Sequence, residues 1–464
     1  MRKIILAGLT FFISITLFGQ DVIGQWNGVL KIPGIQVRVV FNIDKTDSGY
    51  KSTMDSPDQG AIGIPVTTTS FENAVLKLAV ANARIEYEGV LGNDGSIVGN
   101  FKQAGQSFPL NLSKIKIEKE KLIRPQEPTK PYSYISEDIT FENQKAGIVL
   151  AGTLTLPKKE GVFPVVVLIS GSGPQNRDEE LLGHKPFFVI ADYLTKNGIA
   201  VLRYDDRGIG SSKGDFKTAT SLDFATDVQA AIEYLKTRKE INKKEIGLIG
   251  HSEGGIIAPM VASKSKDVAF IVLLAGPGLP GDQLLLLQQN LIAKGNGVSE
   301  TEIQKSIGLN QKAFEIVKEY TNDDELQAQM TNYITEISKD GTNKPENMSE
   351  KDFVDRQITT ILNPWMLYFL RYDPSTALEK VKCPVLAING EKDVQVPPKE
   401  NLEAIKKALL KGGNEKITTK ELPNLNHLFQ ECKTGLPSEY GTIEQTFSPA
   451  ALTEILKWIK LETK

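Results

Sequence analysis

The chain has 464 residues, 40% of them hydrophobic and 24% charged, which is material for two or three soluble domains. Its 54 basic and 57 acidic residues leave a formal charge of -3, which excludes the basic footprint of a nucleic-acid binder and leaves small molecules or neutral polymers as partners. The three histidines stand apart from one another, so no zinc site is expected, and the chemistry read below requires no metal or organic cofactor.

Arg2 and Lys3 precede an apolar run from Ile4 to Phe18, followed by Gly19, Gln20 and a polar start at Asp21. This is the pattern of a cleaved secretory signal over residues 1–20, and it predicts an exported protein, periplasmic or secreted. The run is shorter than the ~20 apolar residues a membrane span needs.

From 21 to 113 the pattern is β-rich. Val37 to Ile43 and Ala83 to Gly89 read as short strands, and Gly92-Asn93-Asp94-Gly95 is one of several turn signals between them. The expectation is a small antiparallel all-β domain, either a barrel or a sandwich. Gly24-x-Trp26-x-Gly28 resembles the opening of lipocalin-like barrels. Residues 114–131, with Pro125, Pro128 and Pro131, read as a linker.

Beyond 132 the pattern changes. Ile135 to Pro157 reads as two antiparallel strands around a turn at 143–147. Continuous apolar runs follow at Pro164 to Ser170, Ile199 to Tyr204, Glu245 to Gly250, Val268 to Ala275, Pro384 to Asn389 and Lys416 to Leu422, separated by helical stretches. Runs without polar alternation suit strands buried on both faces, so the fold class is α/β, a doubly wound, mostly parallel sheet over 132–464. Between about 276 and 382 the alternation stops. Asp282 to Ala293, Thr301 to Tyr320 and Lys351 to Leu370 have helical spacing and predict a helical cap over the carboxyl ends of the strands, where open α/β sheets bind ligands. Cys383 and Cys432 fall at opposite ends of the sheet in this scheme and are expected to be free thiols.

Gly250-His251-Ser252-Glu253-Gly254 has the form G-x-S-x-G, after an apolar strand and before a helical run. In that context Ser252 sits on a tight turn as a nucleophile. A serine needs a base, and His427, just after the last strand, occupies the place for one. Asp393, after the preceding strand, is the acid that would orient it, and Glu391 is its rival two residues earlier. The backbone amide of Glu253 is the first expected oxyanion donor. The second comes from the loop Ser170 to Asp178, with Ser172 the choice and Gly173 next. His184, Trp365 and Phe369 are further candidates for contact with substrate.

Together with Arg203 to Ser212 and Leu425 to Gln430, these motifs resemble the α/β-hydrolase superfamily. The resemblance covers residues 132 to the C-terminus. It is strongest to bacterial exported serine carboxylesterases that carry a β-rich leader domain and a helical cap. It implies ester hydrolysis through an acyl-enzyme on a small-molecule substrate, with Asp205 to Ser212 bracing neighbouring loops. Amide hydrolysis uses the same apparatus, so an aminopeptidase is the alternative, with Glu179-Glu180 as its only nearby acidic pair. A binding protein with a degenerate site is the third reading, and the intact Ser, Asp and His argue against it.

Overall fold

A computed structural model describes residues 21–463, apart from 33–34, 48, 58–60, 84, 104–105, 119–123 and 340–348. The expected signal, 1–20, lies outside the described residues. The chain divides into two compact units between residues 121 and 122.

The first unit is all-β. Strands β1 (Gly24–Ile32), β2 (Ile35–Thr46), β3 (Gly49–Ser56) and β4 (Ala61–Pro65) form one antiparallel sheet. Strands β5 (Thr68–Glu72), β6 (Val75–Val80), β7 (Ile85–Leu91), β8 (Ile97–Gln103) and β9 (Gln106–Pro109) form a second. Burial along β7 alternates strictly, as one buried face requires. That strand starts two residues later than the predicted run, because Ala81–Ala83 makes a 3-10 turn. Both sheets feed one core, in which Trp26 and Phe41 meet Leu76, Tyr87 and Ile97. Their edges are stitched on two sides: Leu112 and Ser113 pair with Ile97 and Asn27, while the amides of Val66 and Thr67 donate to Ser52 and Ala79. The result is a flattened barrel filled by side chains, with Trp26 and Tyr87 each 1% exposed.

The second unit is α/β. Its sheet holds β10 (Ile135–Asn143), β11 (Ile148–Leu156), β12 (Phe163–Ile169), β13 (Ala200–Tyr204), β14 (Ile241–His251), β15 (Phe270–Leu274), β16 (Val385–Gly390) and β17 (Ile417–Leu422). The order is β10-β11-β13-β12-β14-β15-β16-β17, antiparallel up to β13 and parallel from there on. Every residue of β13, β15 and β16 is buried, which is why these runs carry no polar alternation. Alternate residues of β12 enter opposite cores, Val165 and Val167 on one face, Val166 and Leu168 on the other.

Helices α1 (Pro186–Lys196), α2 (Ser221–Thr237) and α3 (Gly254–Ala262) alternate with the strands. The insertion between β15 and β16 holds α4 (Gly281–Gly295), α5 (Glu300–Glu319), α6 (Asp323–Lys339), α7 (Glu350–Ile361), α8 (Pro364–Arg371) and the short α9 (Ser375–Leu378). It has its own core around Val317, Leu326 and Met330. Helices α10 (Pro398–Lys411) and α11 (Pro449–Glu462) complete the covering layers. The single run expected over 351–370 is two helices, since the Asn363 side chain caps the Met366 amide and Pro364 opens α8.

The expected linker is more than a spacer. The Arg124 guanidinium donates to the carbonyls of Leu182, Gly441 and Ile443, and the Gln126 side chain bonds the backbone of Thr446 and Phe447. This part of the segment is docked on the α/β unit. Cys383 and Cys432 are both free.

Candidate active site

Strand β14 ends at His251 and α3 begins at Gly254, so the chain reverses over two residues. Ser252 takes up that reversal at φ +52°, a left-handed conformation costly for a residue with a side chain. Its amide donates to the Leu274 carbonyl on β15. Strand and helix pass so closely that a Cβ at Gly250 would overlap the Gly254 carbonyl, and one at Gly255 would lie 2.5 Å from Gly276 Cα. Glycine is obligatory there, and the strained serine is left half-exposed at the carboxyl end of the central strand.

The loop after β16 brings in Asp393. Its Oδ1 accepts from the amides of Gln395 and Val396, which aims Oδ2 at His427 Nδ1, 2.8 Å away. Both side chains are buried. The loop carrying His427 is built on Asn426, fully buried, whose Oδ1 accepts from the amides of Leu428 and Gln430. With Nδ1 occupied by the carboxylate, the other ring nitrogen of His427 has no hydrogen-bond partner among the described residues. No hydrogen bond joins it to Ser252 among the described residues. Such bonds are commonly loose until substrate binds. Glu391, the rival acid, is exposed and accepts from the Asn424 amide instead.

The loop after β12 lies against the serine, since a Cβ on Gly171 would sit 3.2 Å from Ser252 Cβ. Asp206 braces it, its carboxylate accepting from Ser170 Oγ at 2.8 Å and the Gln175 amide at 2.9 Å. Arg177 forms a bidentate pair with Asp205. The bracing expected of the 205–212 segment is therefore what these bonds do. The amides of Ser172 and Glu253 have no acceptor among the described residues. Gly173 is at φ +93° in the same loop.

The other candidates divide. Trp365 on α8 donates its indole N–H to Glu253 Oε1 at 2.8 Å, so it stands beside the residue after the serine. Phe369 stacks on Trp365 at 5.1 Å between centroids but is buried in the core joining cap and sheet, a packing residue more than a pocket wall. His184 corrects the expectation of a pocket residue. It is fully buried, and its nitrogens meet Thr446 Oγ1 and the Tyr440 carbonyl. Burial pushes its pKa down to about 4, helped by Arg124, so it is a neutral strut. Glu179, one of the acidic pair an aminopeptidase would use, is equally committed elsewhere. It is buried, and its Oε1 accepts from the Gly171 amide and meets His251 Nδ1.

Behind the serine, Asp206 and Glu253 line a cavity of about 10 Å³, room for one water and no substrate group. Burial raises the pKa of both carboxyls, that of Asp206 to about 7. Sequence reasoning passed over His251 and its pairing with Glu179. The signal was present in part, because one of only three histidines lies inside the pentapeptide itself.

The sequence model of the family described as "Serine aminopeptidase, S33" (Hydrolase_4) matches residues 185–431, more than half of the chain, and spans Ser252, Asp393 and His427. The protein belongs to this hydrolase family. Among its relatives, the esterase EstD of Thermotoga maritima is 26% identical over 334 residues, covering 71% of this chain and 68% of that one. The thiohydrolase apmlB of Arthrinium phaeospermum is 30% identical over 150 residues, 32% of this chain and 45% of its own length. Among solved structures, the esterase Pf2001 of Pyrococcus furiosus aligns over 71% of this chain and 93% of that one, at 16% identity and a TM-score of 0.41. As a Hydrolase_4 member the chain is an α/β hydrolase, preceded by an antiparallel β unit.

Proposed function

We propose that this hydrolase cleaves carboxylic esters through an acyl-enzyme, with Ser252 as nucleophile, His427 as general base and Asp393 as its orienting acid. The observation that carries the reading is the buried 2.8 Å bond from His427 Nδ1 to Asp393, together with a serine on a strained strand-to-helix turn whose chain neighbour His251 meets the His427 carbonyl. In the first step His427 takes the Ser252 proton as Oγ attacks the substrate carbonyl, and the free amides of Ser172 and Glu253 receive the oxyanion. His427 then returns the proton to the leaving alcohol. Water, activated by the same imidazole, releases the acid. Nothing in these steps calls for a metal or an organic cofactor. Trp365, whose indole bonds Glu253, is the residue we assign to the acyl or alcohol pocket.

The family description gives amide hydrolysis a claim as well. An aminopeptidase needs a carboxylate free to hold the substrate ammonium. Glu179 is committed to Gly171 and His251, which favours the ester reading. An ester panel run beside aminoacyl anilides, on wild type and Ser252→Ala, tests both. Ester turnover lost in the variant is expected, and faster turnover of the anilides would overturn the ester assignment. The proposal extends to export, with residues 1–20 as the signal. Amino-terminal sequencing of protein recovered from the periplasm or medium is expected to begin near Asp21, and an intact Met1 there would refute it.

A further inference from the structure

His251 stands next to Ser252 in the chain, but its ring is buried. Its two nitrogens face two acceptors. Nδ1 lies 2.9 Å from Glu179 Oε1, and Nε2 lies 3.0 Å from the carbonyl oxygen of His427. A carbonyl can only accept, and an ionised carboxylate can only accept. A neutral imidazole has one N–H and would leave one of these contacts as two facing lone pairs in a dry interior, which costs more than leaving either bond unmade in water. With Glu179 ionised, both bonds are satisfied together only when both nitrogens carry protons.

Glu179 is held for this task. Its backbone is in the left-handed region at φ +50°, a strained choice that directs the side chain inward. The oxygen that meets His251 also accepts from the Gly171 amide at 2.7 Å. One carboxylate thus joins the loop after β12 to the end of β14, and the His251 ring carries the link on to the loop bearing His427. The rings of His251 and His427 are 4.9 Å apart.

We propose that His251 is kept as an imidazolium by Glu179, and that this buried ion pair is a positioning device that fixes the His427 loop and the 170–173 loop around Ser252. Glu179, His427 and Asp393 are the charged or titratable groups that bear on the ring. Burial alone would lower its pKa. The Glu179 carboxylate and the His427 carbonyl outweigh that and raise it. The charge does no chemistry on substrate. It spares the site an unpaired acceptor on either loop, and a loop displaced by about 1 Å can cost on the order of 100-fold in rate.

The positioning role rests on the serine-hydrolase reading, whereas the protonation state does not. The test has two arms on the full-length mature chain. With only three histidines, ring ¹⁵N NMR at about pH 8, where an ordinary imidazole is neutral, resolves each one. One ring with both nitrogens protonated is expected in wild type and is expected to be lost in Glu179→Gln. Three neutral rings in wild type would overturn the proposal without any variant having to fold. In the kinetic arm, Glu179→Gln is expected to lower kcat by roughly 10- to 100-fold with KM changed less than about twofold, and Glu179→Asp, which keeps the charge, to recover part of the loss. A Glu179→Gln enzyme with wild-type kcat would sink the positioning role. If Ser252→Ala still turns over ester, the hydrolase reading has failed instead, and the NMR arm still reports on the ion pair.

Discussion

The indole N–H of Trp365 donates to Glu253 Oε1 at 2.8 Å, and so ties cap helix α8 to the residue that follows Ser252 in the chain. The same oxygen accepts from Ser221 Oγ at 2.5 Å. Because the backbone amide of Glu253 is also a proposed oxyanion donor, the position of the cap is coupled to the centre of the site. Trp365→Phe keeps an aromatic ring for Phe369 and removes the donor together with part of the indole. It should weaken cap anchoring by about 1–3 kcal/mol, the worth of a bond to a buried carboxyl. Urea unfolding and an ester series of increasing acyl length check this. A variant with wild-type stability and an unchanged chain-length profile would show the bond to be idle.

The two acids near His427 make opposite predictions. Asp393 is buried and its Oδ2 meets the imidazole, whereas Glu391 is exposed and binds a backbone amide. Asp393→Asn should lower kcat by roughly 10⁴-fold through the wrong imidazole tautomer, with the fold retained. Glu391→Gln should stay within about threefold, as expected of a surface hydrogen bond. The reverse ranking in steady-state ester assays would exchange the two assignments.

Close passage of β14 and α3 sets a third expectation. A Cβ at Gly250 would overlap the Gly254 carbonyl, and one at Gly254 would overlap the Ile169 carbonyl, so only backbone movement could relieve either. Gly250→Ala and Gly254→Ala should each cost about 3 kcal/mol or more and yield little soluble protein. Gly308, exposed on α5 with open space around its Cα, is the control, and Gly308→Ala should be stabilising by up to about 1 kcal/mol. Equal soluble yields and melting temperatures for all three variants would contradict this packing.

The features legible in the sequence were those fixed by short-range chemistry. Continuous apolar runs marked the buried strands within one or two residues at most ends, because a strand covered on both faces shows no polar alternation. Lys416 to Leu422, read the same way, is instead the edge strand β17, in which only Leu422 is buried. Ser252 was found because a strand-to-helix turn at such close quarters needs small neighbours, and Asp393 and His427 because each follows a strand on one edge of the sheet. What escaped notice depends on contacts between distant segments. Glu179 and His251 are 72 positions apart and meet only in the folded chain. Arg124 reaches carbonyls more than 300 positions away, so the segment around it read as a linker. His184 looked like a loop residue for the same reason, since its partners are Tyr440 and Thr446. Helix α6 went unread, and the break at Asn363-Pro364 was in view but was overridden by helical spacing on both sides.

Asp206 supplies a pH dependence whose sign is fixed by its surroundings. Burial raises its pKa to about 7. The Gln175 amide and Ser170 hydroxyl act against that, and the nearby carboxylates of Glu253 and Glu179 reinforce it. In the unfolded chain the group titrates at about 3.9. Between about pH 4 and about pH 7 the folded protein therefore holds a proton that the unfolded chain has released, so stability from this group falls as pH rises through that window. Asn at this position accepts from the Gln175 amide and donates to the Ser170 hydroxyl, which rotates to receive it, so both braces on the oxyanion loop survive. Asp206→Asn should match wild type near pH 4 and become the more stable protein as pH rises, with the gap levelling off above about pH 7. Denaturation midpoints of both proteins across this range provide the measurement. Parallel profiles would mean that Asp206 is already ionised in the folded state, with the one-water cavity behind it solvating the charge.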